Sequence, residues 1–231
     1  RLDILVAGPS PAVQRRMVFD ALRLGSVNRA SAVDVFASGK GVNAARAAMR
    51  LGGRVETLLV LGGDTGAWMR HRLSEEGIAV AAATSPDATR TCITLVDDAT
   101  GTATELVENA GPASGDTFAD YWELFERRVA EAAVLLCIGT LPAAFPADTY
   151  ARMVVRAREC GVRTVVDAQG DVLRLACAAG CDIAKPNRRE LIQAIGREVP
   201  PHDACRRLLD WGAGAAIVSD ESGPVILCDA A

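Results

Sequence analysis

Lysine, histidine and aromatic residues are all scarce in this chain of 231 residues. Of its 25 basic residues only two are lysines, Lys40 and Lys185; two further residues are histidines, and aromatic residues make up 4%. The net charge of −4 excludes the class of nucleic-acid-binding proteins that depend on bulk positive charge. No apolar run approaches the roughly 20 residues of a membrane-spanning helix, so the sequence predicts no membrane partner.

The seven cysteines also lack the spacing of a metal site or a redox motif. No two of them form a Cys-x-x-Cys pair, and although Cys177 and Cys181 lie four residues apart, no neighbouring histidine completes a zinc set. An odd number of cysteines without a pairing pattern is typical of a reducing compartment. We therefore predict a cytoplasmic protein.

The order of apolar and amphipathic segments predicts an α/β fold. From about residue 116 onward, amphipathic helices alternate with short apolar strands, which is the pattern of a mostly parallel sheet covered by helices on both faces. Two strand-only segments interrupt the alternation, at about residues 10–37 and 86–109, and we expect them to pair into one small sheet beside the core. Ligands of such folds bind beyond the carboxyl ends of the parallel strands.

Residues 38–43 form a candidate anion site. They are a turn of small residues that runs into an alanine-rich helix, and such a turn exposes backbone N–H groups at a helix N-terminus. The turn also holds Lys40, which presents a compact point charge where an arginine would present a planar fork. A Walker A loop is excluded, because Gly41 stands where serine or threonine is required. The alternative is that Lys40 and Lys185 are both ordinary surface lysines.

Three further residues have the chemistry of a phosphate or metal site. Arg90 begins a strand of the small sheet and could clamp a phosphate together with Lys40; alternatively, it is a solvated arginine on an edge strand. Asn187 and Glu190 share one face of a predicted helix and could hold hydrated Mg²⁺ and nucleotide phosphates. The alternative, which their spacing by itself favours, is a capping box with Asn187 as the N-cap and Glu190 at the third helical position.

A set of short stretches, in the same order along the chain, carries a family resemblance. They are residues 8–12, residues 38–45, Thr89-Arg90, residues 139–142, and Asp167 followed by residues 183–191. In turn they resemble an Asn-Pro-Ala turn, a Gly-Gly-Lys-Gly-x-Asn-x-Ala signature, the Thr-Arg of a lid strand, a Gly-Ser-Leu-Pro loop, and an Asp followed by Lys-Pro-Asn-x-x-Glu-Leu. The chain thus resembles the PfkB (ribokinase-like) carbohydrate kinases, most closely their 1-phosphofructokinase and tagatose-6-phosphate kinase branch.

This resemblance implies a fold, a reaction and roles for individual residues. Residues 1–231 would form a single domain with a three-layer α/β/α core, and the two strand insertions would form a β-lid. The protein would move the γ-phosphoryl group of ATP to a hydroxyl of a sugar phosphate, with Mg²⁺ as cofactor, and the exposed lid predicts a homodimer. The implied sugar-phosphate ligands are Gln14, Gly39, Lys40, Asn43 and Arg90; the implied ATP ligands are Lys185, Asn187, Glu190, Ser219 and Gly223, with Glu190 also serving Mg²⁺.

The chain departs from the family pattern in three places. Gln14 stands where the family has a sugar-binding aspartate, which leaves the preferred sugar open. Residues 219–223 replace a Ser-Leu-Gly sequence and introduce Asp220 and Glu221, two carboxylates that would repel ATP phosphates. No later stretch matches the Gly-Ala-Gly-Asp motif whose aspartate is the family's catalytic base. We therefore assign no catalytic residue and expect the base beyond Ala231, in a C-terminal part of the domain that the sequence does not include.

These departures leave two alternatives to a sugar-phosphate kinase. A kinase of an unphosphorylated sugar or nucleoside would share the fold and the nucleotide residues, but it would have no phosphate for Lys40 and Arg90 to bind. A catalytically inactive sugar-phosphate-binding protein would tolerate Gln14, Asp220 and Glu221. Both alternatives remain open at the level of the sequence.

Overall fold

The computed structural model describes residues 2–220 and 223–229, and it shows an α/β fold with two separate sheets. The strands are β1 (Leu2–Ala7), β2 (Ala12–Phe19), β3 (Ala32–Ser38), β4 (Val55–Leu61), β5 (Ala79–Thr84), β6 (Thr91–Asp97), β7 (Thr102–Val107), β8 (Ala132–Ile138), β9 (Arg163–Asp167), β10 (Ile183–Ala184), β11 (Ala215–Val218) and β12 (Ile226–Asp229). The helices are α1 (Lys40–Arg50), α2 (Gly63–Glu75), α3 (Gly115–Val129), α4 (Thr149–Glu159), α5 (Gly170–Ala178), α6 (Arg188–Ile195) and α7 (Pro201–Asp210).

Eight strands form the central sheet, in the order β12-β11-β10-β9-β8-β1-β4-β5. All neighbouring strands are parallel except β11 and β12, which are antiparallel. Parallel neighbours require a crossover connection, and the amphipathic helices between the strands supply it. The mostly parallel sheet predicted from the alternating sequence pattern is therefore confirmed.

Helices cover both faces of this sheet, as the predicted three-layer core requires. On one face, Val42 of α1 and Leu73 of α2 are buried in a cluster with Leu59 of β4. On the other face, α3 to α7 contribute to a larger cluster around Tyr121 and Tyr150, two of the largest fully buried side chains. Within the described residues, none of the helices is long and apolar enough to cross a membrane.

The second sheet has four strands in the order β3-β2-β6-β7. Its strands come from two segments that are far apart in sequence, β2 with β3 and β6 with β7. The two segments join where β2, which pairs with β3 on one side, runs parallel to β6 on the other. The register places Val33, Val35 and Leu106 on one face, where they are 45%, 39% and 50% exposed. Arg15, which is exposed and pairs with Val35 and Ile93, lies on the same face, so the small sheet presents a face that is largely but not wholly apolar.

The carboxyl ends of several central strands meet at one edge and bring the sequence motifs together. Gly139, after β8, donates its N–H to the carbonyl oxygen of Asp167 at the end of β9 (2.9 Å). Lys185, after β10, donates its N–H to the carbonyl oxygen of Val166 (2.8 Å). Parallel strands in register end at the same edge, so motifs that are distant in sequence become neighbours there.

Candidate functional site

The turn before α1 is built from glycines for steric reasons. Gly39 has a φ of +110°, and a Cβ atom added there would lie 2.9 Å from Cα of Pro11. A Cβ atom on Gly41 would lie 2.9 Å from Cα of Gly8, which follows β1. These close approaches seat the start of α1 on the carboxyl edge of the sheet. No side chain among the described residues caps this helix, so the N–H groups of its first turn stay available to an anion.

Lys40, the first residue of α1, contacts two carboxylates from other parts of the fold. Its Nζ atom lies 2.9 Å from Oδ1 of Asp167 and 2.5 Å from Oε1 of Glu190, the latter on α6. Asp167 is nearly buried, with 8% of its surface exposed. Lys40 is therefore the centre of a three-residue charge network.

The second lysine joins the same network. Nζ of Lys185 lies 3.5 Å from Oδ2 of Asp167, so the two oxygens of this carboxylate face different lysines. The sequence motifs place Lys40 in the sugar-phosphate half and Lys185 in the nucleotide half of the predicted site. Asp167 contacts both lysines and so links the two predicted halves, although the sequence motifs imply no role for it. The available signal was its position as a carboxylate at the end of a buried parallel strand.

The network also fixes the charge of Lys40. Burial acts to lower the pKa of its ammonium group, but the hydrogen bonds to Glu190 and Asp167 outweigh burial and raise the pKa above the ordinary value of 10.5. Lys40 is therefore a permanent cation at neutral pH. This suits a group that neutralises phosphate charge.

Asn187 and Glu190 form the capping box that their spacing suggests. The Asn187 side chain accepts the N–H of Glu190 (2.8 Å), and Oε2 of Glu190 accepts the N–H of Asn187 (2.9 Å). The other oxygen of Glu190 is the one that contacts Lys40. Capping and participation in the charge network are thus compatible, because each uses a different oxygen of the same carboxylate.

Arg90 is held by backbone oxygens rather than being solvated on an edge strand. Its guanidinium group donates to the carbonyl oxygens of Pro11 (3.3 Å), Glu108 (3.1 Å) and Ser10 (3.1 Å). Arg90 and Lys40 line the same cleft, which has an empty volume of about 480 Å³. The other residues lining this cleft are Gly8, Ser10, Gly41, Ile138, Gly139, Thr140, Ala168, Gln169 and Glu190.

Three of the predicted sugar ligands, Gln14, Gly39 and Asn43, lie outside the lining of this cleft, and Gly39 belongs to the turn beside it. The side chain of Gln14 donates to Oγ1 of Thr94 (2.8 Å) within the small sheet. Asn43 is exposed on α1, where its amide lies 3.5 Å from Oγ of Ser38 and accepts from Arg46 (3.0 Å). Neither residue contacts the Lys40 network, so their proposed contact with a sugar depends on how the ligand extends from the cleft.

The predicted nucleotide residues after β11 lie beside a second, larger cleft. Ser219 lines it together with Asn187, Arg188 and Asp220, and its empty volume is about 970 Å³. Gly223 lies next to Asp220, whose carbonyl oxygen accepts the Gly223 N–H. Glu221, the other carboxylate noted in the sequence, lies outside the described residues.

The carboxylates of the network are suited to a hard cation. Mg²⁺ prefers oxygen ligands and is usually held by one or two carboxylates, with phosphates and water completing its shell. Asp167 and Glu190 supply such oxygens at one edge of the sheet. Across the described ranges, no group of three or more histidine, cysteine or acidic residues could hold a metal by itself. A nucleotide-bound Mg²⁺ fits this donor set better than a metal held by protein alone.

The comparison with known proteins identifies the family. The model of the pfkB family carbohydrate kinases matches residues 12–230. The chain belongs to the pfkB family. A curated 1-phosphofructokinase from Rhodobacter capsulatus is 33% identical over 234 residues, which cover 98% of this chain and 73% of that protein. As a member of this family, the chain is a carbohydrate kinase.

Solved structures of pfkB relatives have the same fold. Phosphofructokinase-2 from Escherichia coli in complex with fructose-6-phosphate is 25% identical to this chain, with a TM-score of 0.87. The match covers 100% of this chain and 78% of the phosphofructokinase-2 chain. The tetrameric inhibited form of that enzyme matches with a TM-score of 0.86 at 25% identity. This match covers 100% of this chain and 77% of the chain in that structure. A possible 1-phosphofructokinase from Thermotoga maritima has a TM-score of 0.87 at 18% identity, covering 98% of this chain and 74% of its own. The ribokinase-like fold expected from the motifs is confirmed.

Proposed function

We propose that this pfkB chain transfers the γ-phosphoryl group of ATP to a hydroxyl of a sugar phosphate, in the manner of a 1-phosphofructokinase or a tagatose-6-phosphate kinase. The observation that carries the proposal is the position of Lys40. It lines a cleft with Arg90 and simultaneously contacts Asp167 and Glu190. A cation in this position adjoins both a phosphorylated acceptor and the phosphates of a nucleotide.

The acceptor phosphate would bind at the cleft between Arg90 and the start of α1. Arg90 and Lys40 provide positive charge there, and the uncapped first turn of α1 provides N–H groups. Gly39 and Gly41 let the backbone of this turn pack closely against Pro11 and Gly8, which holds the start of α1 beside the cleft. In this arrangement Gln14 and Asn43 would contact the sugar where it extends beyond the cleft.

The nucleotide phosphates would bind on the other side of Lys40. Lys185, Asn187 and Ser219 lie at this part of the edge, and Gly223 contacts Asp220 next to Ser219. Glu190 with Asp167 would hold Mg²⁺ when it accompanies ATP. Mg²⁺ would supply positive charge that neutralises the transferring phosphoryl group. Lys40 and Lys185 would hold the two substrates in line, since positioning and charge neutralisation supply most of the catalysis in phosphoryl transfer.

The small sheet would act as a lid that keeps water from the phosphoryl group. Thr89, next to Arg90, is buried, and its hydroxyl accepts the N–H of Gly62 (3.1 Å) while its carbonyl accepts from Thr65 (2.7 Å). These contacts tie the start of β6 to the start of α2. Arg90 is thereby held at the junction between lid and core, beside the cleft over which the lid would close.

The proposal extends to assembly and location. The apolar face with Val33, Val35 and Leu106 would be buried against the same face of a second copy, because two such faces remove each other's apolar surface from water.

The seven cysteines are free thiols, which agrees with a reducing compartment such as the cytoplasm.

The activity test uses the protein expressed from its complete coding sequence. We expect ATP-dependent phosphorylation of fructose 1-phosphate or tagatose 6-phosphate, and a loss of about a hundredfold or more in kcat/KM for Lys40→Ala and Arg90→Ala. Arg50→Ala, which removes an exposed cation at the other end of α1, is the matched control. Equal turnover of free and phosphorylated sugars, or turnover of nucleosides, would favour the unphosphorylated acceptor. Binding of sugar phosphate without turnover would favour an inactive binding protein.

A further inference from the structure

The loop after β11 presents a carboxylate beside the proposed nucleotide site, and the structure shows what compensates it. Oδ2 of Asp220 lies 3.1 Å from Nη1 of Arg188, the first residue of α6. Asp220, Arg188 and Asn187 line one cleft together with Ser219. An uncompensated carboxylate at this place would repel the phosphates of an incoming nucleotide.

The backbone fixes this pair in position. Asn187 and Ser219 form a parallel β-bridge, and the N–H of Arg188 donates to the carbonyl oxygen of Ser219 (2.9 Å). The start of α6 is therefore attached to the end of β11 directly next to both charged side chains. Because Arg188 and Asp220 both adjoin this backbone contact between α6 and β11, the ion pair is preorganised.

The surroundings make Arg188 more than a surface cation. The side chain of Arg188 is 33% exposed and that of Asp220 is 31% exposed. Arg188 has a second partner, Glu198, whose Oε2 lies 3.4 Å from Nη2 of Arg188 and whose side chain is 76% exposed. Nε of Arg188 is buried and has no hydrogen-bond partner among the described residues. A partly enclosed guanidinium group interacts more strongly with the enclosed carboxylate than with the solvated one.

We infer that Arg188 is a positioning residue of the nucleotide site, which neutralises Asp220 and so permits polyphosphate binding beside Ser219. The inference rests on the proposed function, since it concerns the nucleotide half of that site. Arg188 acts through Asp220 rather than by contact with the nucleotide. Removing Arg188 alone therefore exposes the Asp220 charge, and removing both charges restores the site.

The test measures binding of ATP, ADP and adenosine to the full-length protein by calorimetry in the presence of Mg²⁺. We expect Arg188→Ala to weaken ATP binding about fivefold to tenfold, ADP less, and adenosine not at all, because the repulsion acts on phosphate charge. Asp220→Asn binds ATP at least as tightly as the wild type. The double variant Arg188→Ala/Asp220→Asn returns to the wild-type affinity, and this recovery is the decisive result.

Controls separate this mechanism from others. Arg174→Ala removes an exposed arginine that pairs with Asp171 on α5 (3.1 Å), and it leaves nucleotide affinity unchanged. A double variant that stays as weak as Arg188→Ala, or an equal loss for adenosine, overturns the inference, since Arg188 would then contact the nucleotide or support the fold. Wild-type affinity in Arg188→Ala also overturns it while leaving the proposed function intact. A wild-type protein that binds no adenine nucleotide contradicts the proposed function itself.

Discussion

Lys40 and Asp167 are separated by 127 positions in sequence, yet Nζ of the lysine lies 2.9 Å from Oδ1 of the aspartate. The contact connects the start of α1 to the end of β9. The same carboxylate also contacts the second lysine of the chain, because Nζ of Lys185 lies 3.5 Å from Oδ2 of Asp167. We regard this carboxylate as the structural link between the two halves of the proposed site.

Replacing Asp167 by asparagine tests that link. The variant keeps the shape of the side chain but removes the charge that holds both lysines, so we expect kcat to fall about a hundredfold while the protein stays folded. Steady-state kinetics with sugar phosphate and ATP, together with thermal melting, provide the measurement. Asp171→Asn, an exposed carboxylate on α5, is the control. Activity within twofold of the wild type would show that Asp167 only supports the fold.

Glu190→Gln tests the assignment of the metal. The glutamine oxygen can still accept the N–H of Asn187 and preserve the cap, so the melting temperature should change little. The loss of carboxylate charge should raise the Mg²⁺ concentration needed for nucleotide binding about tenfold. Titration of Mg²⁺ at constant ATP measures this effect, and Glu159→Gln on α4 is the control. An unchanged Mg²⁺ requirement would limit Glu190 to capping.

The raised pKa of Lys40 predicts a pH dependence of stability. A group whose pKa is higher in the folded protein stabilises it fully below the unfolded value of 10.5, and this contribution is lost as pH rises through the folded pKa. The difference in free energy of unfolding between the wild type and Lys40→Met should therefore be constant from about pH 7 to pH 10 and shrink at higher pH. Denaturant titrations across this range measure it, with Arg50→Met as the control. A difference that shrinks below pH 9 would contradict the assigned ion pairs.

Gly39→Ala and Gly52→Ala separate backbone strain from steric contact. Both glycines have positive φ, +110° and +87°, but only a Cβ atom at Gly39 would approach another residue, at 2.9 Å from Pro11. We expect Gly52→Ala to lower the free energy of unfolding by about 1 kcal/mol and Gly39→Ala by about 3 kcal/mol. Chemical denaturation measures both values. Equal losses would show that the contact with Pro11 relaxes without penalty.

The proposed dimer makes a separate prediction. Leu106→Asp places a charge on the apolar face of the small sheet and should convert a dimer to a monomer in sedimentation analysis at micromolar concentration. Val155→Asp, which alters a 46% exposed apolar residue on α4, should leave assembly unchanged. A wild-type protein that sediments as a monomer, or a Leu106→Asp variant that remains dimeric, would exclude this face as the interface.

Much of the site was accessible from the sequence because its residues lie in short local patterns. The glycines around Lys40 indicated a tight turn at a helix start, and the spacing of Asn187 and Glu190 indicated a shared helical face. Both features depend on neighbours within a few positions. The spacing of Asn187 and Glu190 is compatible both with a capping box and with a metal-binding role, and no local pattern shows that the two oxygens of Glu190 contact different partners.

The sequence by itself determined the order of strands and helices, the parallel sheet and the glycine turn, because apolar periodicity and turn chemistry are local properties. Only the tertiary structure decided which distant charges meet. Asp167 and Lys185 become neighbours because the parallel strands β9 and β10 end at one edge, and Lys40 joins them because the start of α1 packs against Gly8 at the same edge. Arg188 meets Asp220 because a backbone bridge joins α6 to β11. Such pairings depend on register and sheet order, which no local pattern specifies.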